Sequence, residues 1–315
     1  MTIPAHSRRP AGRTAPERLL LRLEWRVLRR LDGRQAGGYR TARRGTGTDL
    51  AGLREYAEGD DARHIDWNAT ARLAEPQLRV FTEDRELTVW LVLDRSASMA
   101  VGPPGRGKQD VLHELALVLA RLFGRGGNRV GALLYDTARD GRARDGRAAV
   151  RTVPPGTGRG HVLRIGAELA RTAYTGRGRT TDLAAMLDAV AKLARRRALI
   201  VVISDFIGDG DWERSLLRLV PRHEVVALRV IDAADDALPD AGLVVVEDAE
   251  TGEQLVIDSS DPLLRARIRA GVTDRDANLA AGMRRAGVPL HRIGTDADLA
   301  TALIDVVAST KRRRA

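Results

Sequence analysis

Two aliphatic runs that each stop at a carboxylate constrain this chain more than any other feature. Leu91-Val-Leu-Asp94 and Leu199-Ile-Val-Val-Ile-Ser204-Asp205 contain no polar residue until their last positions. A strand without polar alternation is buried on both faces, as parallel strands are in an α/β sheet. In such sheets ligands collect outside the carboxyl ends of the strands, where the topology changes direction. Asp94 and Asp205 both stand at carboxyl ends.

The residues after Asp94 narrow the chemistry. Arg95-Ser96-Ala-Ser98 sets two hydroxyls two positions apart, and a strand end followed by a tight loop can aim alternate side chains at one point. One charged and two neutral oxygens suit a hard cation such as Mg²⁺. The same residue types also serve turns and helix caps. Two further stretches can complete an oxygen set: Gly178-Arg-Thr180-Thr181-Asp182, between a loop and a helix, and the second aliphatic run, which ends on Asp205.

Composition removes several alternatives. At 315 residues and 43% hydrophobic, with only 3% aromatic, the chain can bury an aliphatic core in one large domain or in a domain with an appendage. It has no cysteine, which excludes disulfides, thiolate metal sites and cysteine nucleophiles. No apolar run reaches the length of a signal peptide core or a membrane span, so the expected location is cytoplasmic. The net charge is +10, and the first 49 residues hold twelve arginines against four acidic residues. A basic arm of this kind can contact nucleic acid, anionic lipid or an acidic protein face. No nucleic-acid-binding motif accompanies the charge, so nucleic-acid binding through the Arg-rich arm is kept as an alternative function.

The organisation follows from periodicity. Residues 1–48 read as a basic arm, with an amphipathic helix over Glu17–Leu31 and a Gly/Arg-rich linker over Gly33–Thr48. Peripheral membrane contact by that helix is one option and packing against protein the other. Residues 49–86 hold a dense cluster, and Pro76–Thr88 reads as extended. Residues 87–310 alternate between strand and helix, and 311–315 form a basic tail. Strands are expected over Glu86–Leu93, Arg129–Tyr135, Ala148–Val153 as a hairpin partner, Leu199–Ser204, Glu224–Ile231 and Val288–Ile293. Helices are expected over Lys108–Phe123, His161–Tyr174, Asp182–Arg195, Asp211–Val220, Asp261–Ala286 with a break near Gly271, and Asp296–Ser309. Pro154–Gly160 reads as a loop. Leu243–Val246 and Gln254–Ile257 bracket a hairpin turn at Glu250-Thr-Gly252-Glu. Gly102–Lys108 lacks phosphate-loop spacing and is followed by Gln109, so it reads as a flexible turn.

The cluster Gly59-Asp60-Asp61, Arg63, Ile65-Asp66-Trp67, Thr70-Ala71-Arg72 has paired carboxylates but no histidine at useful spacing, and it reads as a fixed structural or contact element. It resembles the hallmark of the bacterial domain-of-unknown-function fifty-eight family, in which that segment precedes a von Willebrand factor A-like domain. The resemblance implies an α/β fold of that type: a Rossmann-type, mostly parallel sheet flanked by helices, with an N-terminal helical and extended appendage. It also implies a metal-ion-dependent adhesion site. Position by position, Asp94, Ser96, Ser98, Thr181 and Asp205 match its ligands, with Thr180 an alternative to Thr181. The implied cation is Mg²⁺, with Mn²⁺ or Ca²⁺ as alternatives.

Proteins of that family often carry N-terminal membrane helices, which this chain replaces with the amphipathic Glu17–Leu31. The resemblance implies a non-enzymatic accessory of a MoxR-type AAA+ ATPase in assembly or remodelling of client complexes. Largely neutral ligands would leave the ion electrophilic and able to take an Asp or Glu from a client protein. A Mg²⁺-dependent phosphohydrolase is the competing reading, since a strand-end Asp can act as nucleophile. Against it, Ser96 stands where aspartyl phosphatases place a second carboxylate, and His113, His161, His223 and His291 are scattered.

Overall fold

The computed structural model describes residues 44–312, leaving aside 58–59, 74, 83–86, 103–105, 126, 137–148, 172–179, 209 and 237. The helix expected over Glu17–Leu31 lies outside the described residues. The described residues divide into two compact units, one before and one from Thr88.

In the smaller unit, β1 (Arg44–Glu55) pairs antiparallel with β2 (Gln77–Thr82). β1 begins inside the stretch expected to be linker, because a register irregularity between Arg44 and Asp49 absorbs its glycines without ending the strand. A 3-10 turn at Ala62–His64 and the short helix α1 (Trp67–Leu73) join the two strands. The aspartates of the dense cluster are spent on backbone donors. Asp61 accepts the Arg63 N–H at 3.0 Å, and Asp60 accepts that of Ala57 at 2.9 Å. Asp66 accepts the Asn68 and Ala69 N–H groups, both at 3.0 Å, and Arg79 Nε at 3.0 Å. Thr70 Oγ1 accepts the Gln77 N–H at 2.9 Å, which ties α1 to β2. The Asp61 and Asp66 contacts cap helix starts and the Asp60 contact closes a turn, so these carboxylates are accounted for without an acid–base role.

The larger unit is an α/β sheet flanked by helices. Its elements run β3 (Thr88–Asp94), α2 (Lys108–Arg125), β4 (Arg129–Asp136), β5 (Ala149–Gly156), α3 (Gly158–Arg171), α4 (Leu183–Leu193), β6 (Ala198–Ser204), α5 (Trp212–Leu219) and β7 (Glu224–Ile231). They continue with α6 (Ala233–Asp236), β8 (Leu243–Glu247), β9 (Gln254–Asp258), α7 (Pro262–Arg285), β10 (Leu290–Gly294) and α8 (Leu299–Arg312). The sheet order is β10-β7-β6-β3-β4-β5. All neighbours are parallel except β4 and β5. β8 and β9 form a separate antiparallel ribbon. Among the described residues, no helix is long and apolar enough to cross a membrane.

Two expectations need correction. The stretch 154–160 is not a loop: β5 runs through both prolines to Gly156, and α3 begins at Gly158. Proline is tolerated there because β5 is an edge strand, where a missing N–H need not break a ladder. Helix α7 also continues unbroken past Gly271. An internal glycine costs about 1 kcal/mol relative to alanine but keeps its N–H, so it weakens a helix without ending it. Asp261 accepts the Leu263 N–H at 2.8 Å and caps its start, with Pro262 in the first turn.

The core sits where the aliphatic runs predict. β3 and β6 are buried along nearly their whole length, and Val92, Ile200 and Val202 share one cluster with Met186 and Leu187 of α4 and Leu216 of α5. From β3 the chain steps to β4 on one side, and from β6 it steps to β7 on the other. The switch point therefore lies between the carboxyl ends of β3 and β6.

Candidate functional site

Asp94 is the last residue of β3, and pairing of Leu93 with Ile203 brings it beside Ser204. Ser204 Oγ donates to Asp94 Oδ2 at 2.6 Å and accepts the Phe206 N–H at 2.8 Å. Asp94 Oδ1 accepts the Ser96 N–H at 2.9 Å. The chain then turns through a single 3-10 turn at Ser98–Ala100, which places Ser98 Oγ 3.0 Å from Ser96 Oγ. One proton shared between those two hydroxyls leaves oxygen lone pairs to face a cation. Asp94, Ser96, Ser98 and Ser204 are all buried.

Asp205 follows β6 directly. Its Oδ1 accepts the Ile207 N–H at 3.1 Å, its Oδ2 receives Lys108 Nζ at 3.0 Å, and its carbonyl receives Arg229 Nε at 3.1 Å. Lys108 Nζ also reaches Asp235 Oδ1 at 3.0 Å, and its side chain is only 1% exposed. Phe206, the next residue, has φ +56°. A non-glycine residue in that region carries strain on the order of 1 kcal/mol or more, which surrounding structure must hold in place. The strain lies at the sharp turn that delivers Asp205.

Thr181 comes from the loop before α4. It is fully buried whereas Thr180 is exposed, so Thr181 is the one turned inward. The loop after β6 abuts it: a Cβ on Gly208 would lie 2.3 Å from the Thr181 carbonyl oxygen. Thr181 donates twice to one carboxylate, its N–H to Glu250 Oε2 at 2.8 Å and its hydroxyl to Glu250 Oε1 at 2.5 Å. Glu250 sits in the turn between β8 and β9.

Charge in this region is unbalanced. Burial, and then repulsion from Asp205, push the Asp94 carboxyl up to about 7, against the bonds from Ser204 and Ser96. Burial also raises the Glu250 carboxyl, against the bonds from Thr181. Burial works against the Lys108 ammonium, but Asp205 and Asp235 outweigh it and hold the group above its ordinary value. Burial and then the Asp182 and Asp94 charges raise the Tyr135 phenol, with a smaller push from Glu250. Lys108 is taken up by Asp205 and Asp235, whereas Asp94 and Glu250 are held by neutral hydroxyl and N–H donors. A buried carboxyl whose bonding partners are neutral either keeps a proton or holds a cation.

The contacts bring Asp94, Ser96 and Ser98 together, whereas Thr181 is tied to Glu250 and Asp205 to Lys108; as a donor set, two carboxylates and three hydroxyls suit a hard divalent ion. Among the described residues, no three His, Cys, Asp or Glu side chains converge as a metal cluster. A cation held here would therefore rest on Ser96, Ser98 and Thr181 as much as on Asp94 and Asp205.

The family model described as "Protein of unknown function DUF58" matches residues 52–278. This chain belongs to the DUF58 family. It is 37% identical over 290 residues to "Uncharacterized protein Rv1480" of Mycobacterium tuberculosis, covering 92% of this chain and 88% of that protein. Among solved structures it is similar to the conserved hypothetical protein BatB from Bacteroides thetaiotaomicron, at 12% identity, with 72% of this chain, 99% of that chain and a TM-score of 0.43. It is also similar to an aerotolerance-related membrane protein from Bacteroides fragilis, at 15% identity, with 71% of this chain, 97% of that chain and a TM-score of 0.43.

In this DUF58 chain, three residues of the cluster escaped sequence reasoning. Lys108 read as the end of a flexible turn, yet it is buried against Asp205. The chain has only three lysines, and one of them at a helix start after a strand-end motif was the available signal. Ser204 read as a strand residue, although the register of β3 on β6 brings it to Asp94. Glu250 read only as turn-forming. Nothing in its spacing points to Thr181, 69 positions away.

Proposed function

We propose that the larger unit of this DUF58 chain is a von Willebrand factor A-like domain whose strand-end cluster is a metal-ion-dependent adhesion site, and that the protein is a non-enzymatic interaction module. The observation that carries this reading is the convergence at the switch point. Asp94 and Asp205 stand there at adjoining strand ends with the buried hydroxyls of Ser96 and Ser98, and the Asp205 charge adds to burial in raising the Asp94 carboxyl. Asp94, Ser96, Ser98, Thr181 and Asp205 would hold Mg²⁺, or Mn²⁺ or Ca²⁺ in its place. When bound, the ion supplies an electrophilic centre for a carboxylate from another protein.

The protein's own groups prepare that site. Ser204 and the Ser96 N–H fix both oxygens of Asp94, and Lys108 with the Ile207 N–H fixes those of Asp205. Preset ligands reduce the ordering cost of binding. The partner in this reading is a MoxR-type AAA+ ATPase, with a client that contributes an Asp or Glu. A phosphohydrolase is less well supported, because Ser96 stands where aspartyl phosphatases place a second carboxylate.

Calorimetric titration with Mg²⁺ tests the site. Wild type is expected to bind, and the Ser96→Ala/Ser98→Ala double variant to bind roughly tenfold or more weakly while melting as a folded protein. Equal Mg²⁺ affinity in the two proteins would sink the reading. Affinity capture from native lysate in Mg²⁺ or EDTA then tests the partner, with an AAA+ ATPase expected only with Mg²⁺ and only on wild type.

A further inference from the structure

The β8–β9 ribbon is held at its two ends and by little in between. At the base, Ser259 Oγ donates to the Gly242 carbonyl at 2.8 Å and accepts the Ala241 N–H at 3.0 Å. At the tip, Glu250 receives both donors of Thr181. Along the strands, Leu243, Val245, Leu255 and Val256 are between 63% and 77% exposed. Lifting the ribbon therefore uncovers little apolar surface, and the cost of moving it is concentrated in the tip contact.

The tip is built to present one carboxylate. Asp248 Oδ1 accepts the Glu250 and Thr251 N–H groups at 2.8 and 2.9 Å, and the Asp248 carbonyl accepts the Gly252 N–H at 2.8 Å. Gly252 takes φ +75°, which closes the turn without side-chain strain. Glu250 is 7% exposed although it belongs to a surface hairpin. A carboxylate desolvated to this degree at a hairpin tip costs stability unless it is bound, and it is bound to a residue of the proposed adhesion site.

From this geometry we propose that Glu250 is a built-in carboxylate: it occupies, in the resting chain, the place at the site that a partner's Asp or Glu takes, and the β8–β9 ribbon is the arm that lifts when a partner binds. This inference rests on the adhesion-site reading above and adds its regulation. Thr181 spends its proton on Glu250 and keeps its lone pairs, so the contact does not disable Thr181 as an oxygen donor. Partner binding then carries the cost of displacing Glu250, and that cost sets a threshold against weak acidic ligands.

Hydrogen exchange on the full chain, read by mass spectrometry, tests this with Glu250→Gln and with acetate as a free carboxylate probe. In wild type, Mg²⁺ is expected to slow exchange over residues 95–100. Replacing chloride by acetate at equal ionic strength should then speed exchange over residues 243–258. In Glu250→Gln, residues 243–258 should exchange roughly tenfold faster than in wild type and ignore acetate, because two bonds to a charged acceptor are weakened. Mg²⁺ should still protect 95–100 in that variant. If it does while ribbon exchange stays at the wild-type rate, the site reading stands and the built-in carboxylate is overturned. A ribbon released in Glu250→Gln but deaf to acetate in wild type would make Glu250 a plain clamp and overturn its stand-in role. No Mg²⁺ effect at 95–100 in either protein would remove the adhesion site, and this inference with it.

Discussion

Asp94 is pulled two ways, by burial that disfavours its charge and by a role that needs it. Its folded carboxyl is raised to about 7 from 3.8, so between those values the folded chain keeps a proton that the unfolded chain releases. Without a cation, this group therefore contributes less stability as pH rises from about 4 to 7, and the loss persists above. Asp94→Asn removes that burden while keeping the shape. In EDTA at pH 8 it is expected to be at least as stable as wild type, by up to about 2 kcal/mol, and to lose any Mg²⁺-dependent rise in melting temperature; calorimetric melts with and without Mg²⁺ check both. His113 runs the other way. Its Nε2 is buried with no hydrogen-bond partner among the described residues, and burial, then the Arg95 charge, hold the imidazole down to about 4. Stability from the neutral ring is complete above about 6.5 and is lost as pH falls toward 4. Urea denaturation at pH 5 and 7 should show His113→Leu losing less stability between the two than wild type does, by on the order of 2 kcal/mol. These residues also mark what sequence could reveal. Asp94, Ser96 and Ser98 announce themselves because they lie within five positions at a strand end. Lys108 meets Asp205 across 97 positions and Glu250 meets Thr181 across 69, and only the tertiary path of the chain makes those pairs.

Elements were legible where burial and period agree. β7 spans Glu224–Ile231 as expected, since six of its eight residues are fully buried and the flanking turns are polar. Boundaries failed where a residue's local preference was allowed to outvote its setting, as with Pro154 and Pro155 in an edge strand and Gly271 in α7. Helix α7 supplies a paired test of that lesson. Around Gly271 a Cβ would meet nothing within 4 Å, whereas at Gly282 it would stand 2.6 Å from Trp212 Cη2. Gly271→Ala is expected to stabilise by about 0.5–1 kcal/mol, the helix-propensity difference alone. Gly282→Ala gains the same propensity but must push the Trp212 ring out of a packed core contact, at about 1–3 kcal/mol. Chemical denaturation should therefore move the two midpoints in opposite directions. Equal shifts would mean that packing between α5 and α7 does not decide the residue at 282.

At the scale of the molecule, charge and site are separable. The α/β class was readable because two aliphatic runs ended on carboxylates. The β8–β9 arm was readable as a hairpin, but its tip contact was not, since exposed strands leave no pattern that says where a turn will land. The net charge of +10 is concentrated in residues 1–43, where eleven arginines face three acidic residues. Attraction from such an arm is ionic: it falls as salt screens it and does not depend on a cation at Asp94. The strand-end cluster is the reverse case, built from buried groups that salt screens poorly and dependent on the identity of the cation. Deleting residues 1–43 is therefore expected to lower the salt concentration that elutes the protein from heparin, and to leave the Mg²⁺-induced rise in melting temperature as it is in the full chain. Asp94→Asn should do the opposite, eluting with wild type and ignoring Mg²⁺. A truncated chain that lost its response to Mg²⁺ would tie the arm to the site, and the two could no longer be treated as independent contacts on one partner.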